Sequence, residues 1–256
     1  MAARDDDRER LAVDASTGEP LAPRAQPGYY PGFSTLEQAG FWDAATRRVV
    51  LARVHEVPPI RFFSPSEATL LQAVLARVLP QDDRDEAHRI PILNYIDSRL
   101  FDDRHDGYRY DDMPPDGEAH RLGLVGIEAA AQALHGCAFV ACSPRQQELV
   151  LEGLHDGKPA GGDDVWRRMP VHRFWLLLVK DACEAYYAHP FAWDEIGFGG
   201  PSYPRGYFRL ENGQPEPWEV EERRYQWRAP PDSPSAKLTP VGGSFDQLGS
   251  SQGGTH

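Results

Sequence analysis

The densest group of potential metal ligands in this 256-residue sequence is the stretch from Asp102 to Asp112. Here Asp102, Asp103, His105, Asp106, Asp111 and Asp112 offer carboxylate and imidazole donors. Carboxylates at this density suit a hard divalent cation, and the natural template is a calcium loop. Setting Gly107 at the glycine of that template puts Arg104 at a ligand position and Met113 where the bidentate glutamate belongs. The pattern therefore fails, and the stretch reads as a solvated acidic loop. A stand-alone metal-dependent enzyme using residues 102–112 is the competing functional reading. Zinc has no ligand set either, because the nine histidines are scattered and form no His-Glu-x-x-His or Cys/His cluster.

Other chemistries lack their residues as well. Gly197-Phe198-Gly199-Gly200 has the glycines of a phosphate cradle, but Pro201 and Pro204 follow where a helix N-terminus is needed, so a turn-rich loop is expected. No dinucleotide-binding fingerprint, Walker lysine or Gly-x-Ser-x-Gly elbow occurs. The carboxylate pairs Asp163-Asp164 and Glu221-Glu222 lie in polar stretches, where neighbouring acids are simply hydrated. Cys137, Cys142 and Cys183 are too few for a disulfide framework, and four residues separate the first two, so no Cys-x-x-Cys redox pair exists. Three reduced, partly buried thiols are expected. The sequence thus nominates no catalytic, metal or cofactor-binding residue.

A formal net charge of -12 disfavours nucleic acid, since the chain would repel a phosphate backbone rather than displace its counterions. Of the 27 basic residues only Lys158, Lys180 and Lys237 are lysines, and arginine's planar fork suits fixed pairing. Phe174 to Val179 is the longest strongly apolar run, far short of the roughly 20 residues that cross a bilayer, so direct membrane insertion is not expected. Asp5, Asp6, Asp7 and Glu9 rule the first twenty residues out as a secretory signal, and Arg47-Arg48 lacks the apolar stretch of a twin-arginine signal. The expected compartment is the cytoplasm, or the periplasm if a partner carries the chain there.

The elements that must position any site are helical. Ser64-Pro65-Ser66-Glu67 is a capping box, after which Leu71, Val74, Leu75 and Val78 follow one face until Pro80. A second helix is expected over Pro91 to Phe101 and a third over about Glu118 to His135. Gly136 is placed to end the third, and small residues from Gly123 to Ala133 allow a neighbour to approach closely. A second capping box at Ser143-Pro144-Arg145-Gln146 opens a short helix ending near Gly157. The last long helix follows Met169-Pro170 and repeats Val171, Phe174, Trp175, Leu178, Ala182 and Ala185. About five helices with short connections predict an all-α bundle. The expected organisation is a disordered arm over 1–28, an extended arm over 29–63, a helical domain over 64–190, an aromatic partner-binding segment over 191–228 and a disordered tail over 229–256.

One stretch is unusual for its rings. Between 186 and 228 lie Tyr186, Tyr187, Phe191, Trp193, Phe198, Tyr203, Tyr207, Phe208, Trp218, Tyr225 and Trp227, with Arg205, Arg209, Arg223, Arg224 and Arg228 among them. Prolines and glycines prevent this stretch from forming one amphipathic helix, so its rings must pack on the bundle or on another molecule. Trp, Tyr and Arg dominate binding hot spots, and exposed aromatics also stack on sugars, which makes a sugar-binding module a further reading.

A set of residues in fixed order points to a family. Phe62-Phe63-x-x-x-Glu67, Leu79-Pro80, Ile96-Asp97-x-x-Leu100 and the Gly123 to Ala133 helix come first. Tyr186-Tyr187-Ala-His189-Pro190, Trp193, Gly197, Gly199-Gly200-Pro201 and Gly206-Tyr207 follow. Over roughly residues 60 to 210 the chain resembles the gluconate 2-dehydrogenase subunit 3 family. The resemblance implies a small helical, non-catalytic subunit that binds and stabilises, or chaperones, a flavoprotein large subunit of the glucose-methanol-choline type. That partner holds FAD, oxidises a sugar or sugar acid, and in some complexes passes electrons to a cytochrome subunit. No cofactor is expected in this chain. The expected partner contacts are Tyr186, Tyr187, His189, Pro190, Phe191, Trp193, Gly199, Tyr203 and Tyr207.

Overall fold

The computed structural model describes residues 34–201 apart from His105 and Gly197, and all of them belong to one structural unit. A 3-10 helix, Thr35–Phe41, is followed by α1 (Ala44–His55), α2 (Pro65–Val78), α3 (Ile92–Phe101), α4 (Asp116–His135), α5 (Pro144–His155), α6 (Asp163–Trp166), α7 (Val171–Tyr187) and α8 (Pro190–Ile196). Among the described residues there is no strand, and the architecture is all-α. None of their helices is long and apolar enough to cross a membrane.

Helices α2, α4 and α5 are delimited by local signals. Ser64 accepts the Glu67 N–H while the Glu67 carboxylate accepts the Ser64 N–H at 2.8 Å, and Ser143 and Gln146 repeat the device at the start of α5. Each box satisfies two backbone donors that a helix start otherwise leaves orphaned. Gly136 ends α4 in the left-handed region, at φ 67°. Helix α4 lies at the centre, against α2, α5, α6 and α7. A Cβ on its Gly123 would come within 2.0 Å of the Phe174 ring, so only glycine lets α7 seat that ring on the α4 backbone. Leu71, Ile127, Phe139, Leu154, Phe174 and Leu178 are buried there as one continuous apolar core.

Residues 29–63 differ from the extended arm expected of them. Within the described part of that range, Thr35–Phe41 and Ala44–His55 are helical. Asp43 caps α1 by accepting the Thr46 N–H at 2.8 Å, and Arg47 ties the two pieces by donating to the carbonyls of Ala39 (3.0 Å) and Trp42 (3.1 Å). The helix escapes a periodicity reading because Val49, Val50 and Leu51 are consecutive and only Val50 is buried. Its partner is α8, at the other end of the described chain, so the order comes from a distant contact. The boundary expected at 190/191 falls inside helical structure, since α8 runs over Pro190–Ile196. The expected arm 1–28, the tail 229–256 and the part of the aromatic segment beyond Pro201 lie outside the described residues.

Candidate functional site

The acidic loop pairs its carboxylates with cations from the bundle. Asp106 bonds to Lys180, Asp112 to Arg173 at 2.8 Å, and Asp102 to Arg61 at 3.3 Å and Ser98 at 3.3 Å. Among the described residues no three His, Cys, Asp or Glu side chains converge as metal ligands, and His105 is not among them. A cavity of about 680 Å³ beside this loop is lined by Phe62, Tyr108 and several arginines. Of these, Arg121 faces Glu67 at 3.5 Å, Arg168 faces Glu118 at 2.8 Å and Arg104 faces Asp102 at 3.6 Å, so their charge is already matched.

Two motifs of the sequence have structural roles in the interior. Asp97 of α3 is fully buried, and its carboxylate accepts the backbone N–H groups of Arg61, Phe62 and Phe63 at 2.7, 2.9 and 2.9 Å. Three donors on one carboxylate fix the bend that leads into α2 and seat Phe63 in the core. In a second network, Asp181 of α7 accepts from Arg99 at 2.5 Å and is bonded to His120 at 2.7 Å, while Arg99 reaches Asp116 at 2.9 Å. Burial pulls the Asp181 carboxyl up, but the His120 hydrogen bond and the charges of His120 and Arg99 outweigh it and hold the group below the usual carboxylate value. This network joins α3, α4 and α7.

The ring-rich segment begins on a further buried network. Arg84, whose side chain is 3% exposed, bonds to Glu195, to the Tyr186 hydroxyl at 3.1 Å and to the carbonyls of His88 (3.2 Å) and Phe191 (3.4 Å). The Tyr186 hydroxyl in turn donates to Glu195 at 2.7 Å. Burial, reinforced by the Glu195 carboxylate and opposed by Arg84, pushes the Tyr186 phenol up to about 12. His189 is 2% exposed, and its Nδ1 accepts the Phe191 N–H at 3.2 Å, which leaves a neutral ring with its proton on the other nitrogen, facing the Arg53 carbonyl. Burial, together with the charges of Arg84 and Arg53, lowers this imidazole to about 4.

Trp193 closes the arrangement. Its indole N–H donates to the Tyr187 carbonyl at 2.6 Å, its ring meets Phe198 edge-on at 5.4 Å, and Arg53 lies over it at 5.6 Å while donating to the Ala188 carbonyl. With Trp42 and Val50 it forms a small apolar cluster separate from the main core. Thr35 locks the two chain segments together, its N–H donating to Asp194 at 2.6 Å and its hydroxyl to the Phe198 carbonyl at 3.1 Å. Gly200, at φ 78°, packs so closely on Thr35 and Trp42 that an added Cβ would come within 2.9 Å of the Thr35 methyl. Gly200 therefore serves close packing.

The nine expected contact residues are sorted by this geometry. Tyr186, His189, Pro190 and Trp193 are buried in the chain's own interior and act beneath the surface, because their polar groups are committed to Arg84, Glu195 and the backbone. Phe191 and Gly199 are half-buried and Tyr187 is 49% exposed. Tyr203 and Tyr207 lie outside the described residues. Ile196 and Phe198, 49% and 40% exposed, are surface apolar groups of the same segment that the sequence reading did not select. Arg84 and Glu195 were missed too, because a charge destined for the interior looks like any surface charge in sequence.

The comparisons agree with the residues of this segment. No curated protein and no solved structure matches the chain. The family model described as gluconate 2-dehydrogenase subunit 3 matches residues 65–200, from the first residue of α2 to Gly200 of the turn on Trp42. That match spans more than half of the chain, and the protein belongs to the gluconate 2-dehydrogenase subunit 3 family.

Proposed function

We propose that this chain is the non-catalytic small subunit of a dehydrogenase complex and that it binds and stabilises an FAD-dependent large subunit of the glucose-methanol-choline type acting on sugars or sugar acids. The observation that carries this reading is membership of a family named for one subunit of such an enzyme, which implies partner subunits. The surface supports it. Tyr187 and Phe198 are exposed, yet each ring is held edge-on by a buried neighbour, Tyr186 at 5.1 Å and Trp193 at 5.4 Å respectively. Rings held in place lose little conformational freedom on docking, which favours association. Ile196 is exposed and Phe191 and Gly199 are half-buried in the same segment, and Tyr203 and Tyr207 follow it in sequence.

The mechanism is mass action. A subunit that binds the folded partner and not the unfolded one adds about 2.7 kcal/mol to the partner's stability when present at about 100 times its Kd. The flavin and the oxidation of substrate belong to the large subunit. The test is co-expression of the tagged chain with such a flavoprotein, followed by native size exclusion and a visible spectrum. The expected result is a complex with flavin absorbance that loses about tenfold or more in affinity when Tyr187→Asp and Phe198→Asp are combined. Elution of the two proteins apart, or oxidation of a sugar by the isolated chain, would overturn the proposal.

A further inference from the structure

The turn between α4 and α5 is held at both ends and in its middle. Gly136 reverses the chain after α4, and Ser143 caps α5. Between them Phe139 is fully buried, its N–H donating to Glu128 at 3.0 Å and its carbonyl accepting from Gln147 at 3.0 Å. The single 3-10 turn Phe139–Ala141 that results brings Cys142 back onto Cys137. The Cys142 thiol is directed at the Cys137 carbonyl, 3.9 Å away, so the two cysteines meet across the turn. Cys142 is buried and Cys137 half-buried, so one sulfur of the pair is open to a reagent.

We propose that Cys137 and Cys142 form an intramolecular disulfide by exchange with a small-molecule disulfide, which makes this turn a covalent modification site. It is independent of the functional reading above. The Cys137 thiolate attacks one sulfur of the reagent, whose S–S bond breaks, and the first reagent thiolate leaves and takes up a proton. The Cys142 sulfur, giving its proton to water, then attacks the Cys137 sulfur and expels the second reagent thiolate. Two protein thiols are oxidised to one disulfide and one reagent disulfide is reduced to two thiols, so two electrons and two protons are balanced. Burial first, then Cys137 and the Glu128 carboxylate, push the Cys142 thiol up to about 11, which makes the second step slow at neutral pH and faster as pH rises. A reducing compartment keeps the pair open and an oxidising one closes it.

The experiment incubates the full chain with oxidised glutathione at pH 8.5, alkylates it under denaturing conditions and maps the peptides by mass spectrometry. The expected product is about 2 Da lighter, links Cys137 to Cys142, leaves Cys183 as the one alkylated thiol, and melts about 5 °C higher. Cys142→Ser is expected to stop at a glutathione adduct on Cys137, and Cys183→Ser to close the disulfide as the wild type does. Three alkylated thiols in the treated wild type, a bond through Cys183 or a bond between chains would each overturn the proposal.

Discussion

The main core and the small cluster around Trp193 bury their rings by different means. In the core, Phe174 of α7 sits on the backbone of α4 at Gly123, and five long helices contribute apolar faces with regular spacing. In the small cluster, Trp42, Val50 and Trp193 come from opposite ends of the described chain and are joined by a few contacts, Thr35 to Asp194 and Arg53 to Ala188 among them. The first arrangement is cooperative, since every helix shares α4 or α7 with another. The second rests on one docking event, and a segment with so few buried apolar groups belongs at the low end of local stability. The proposed partner surface lies on this second region, the part of the molecule least able to hold itself.

The largest losses of stability are expected in the main core. Phe174→Ala leaves a cavity over Gly123, where α4 cannot collapse, and is expected to cost about 3–5 kcal/mol, read as a fall in the denaturant midpoint of the whole domain. Asp181→Ala leaves His120 buried without its carboxylate and Arg99 with Asp116 alone, and is expected to cost about 3 kcal/mol in the same global transition.

The weaker member responds to acid. Between about pH 6.5 and 4 the unfolded chain binds the His189 proton and the folded chain does not, so the stability that neutral His189 contributes is present above that window and lost as pH falls through it. Proteolysis in the 35–60 segment is expected to increase on going from pH 7 to pH 5, and His189→Asn to flatten that dependence. The smallest global effect belongs to Trp42→Ala. It removes as large a ring as any in the core, yet the domain midpoint is expected to move by less than about 1 kcal/mol, because the clamp undocks separately. Amide hydrogen exchange is expected to show protection lost in α1 and α8 and kept in α4. Equal loss in all three would merge the two regions into one.

The legible part of this fold is the part written in neighbouring residues. Ser64 with Glu67, Ser143 with Gln146, Gly136, and the spacing of Phe174, Leu178 and Ala182 each act within a turn or two, and they place α2, α5, α4 and α7 to within a few residues. Helix α1 was hidden because its order depends on Trp193, more than a hundred residues away. The pairing of Arg84 with Glu195 is hidden for the same reason. The ring-rich stretch was visible as composition, but which rings turn inward depends on Arg84, Arg53 and Thr35, whose roles have no local signature. The residues that carried the resemblance have interior contacts in the structure: Asp97 holds Phe62 and Phe63, and Gly200 fits against Trp42.

The central claim is that this chain acts by holding a flavoprotein in its folded state. Its most direct test is the melting temperature of the FAD-dependent large subunit, with its flavin released on unfolding, measured alone and with an excess of this chain. A rise that grows with the chain's concentration, and that the Tyr187→Asp, Phe198→Asp variant fails to produce, is expected. An unchanged melting temperature at every concentration would contradict the account.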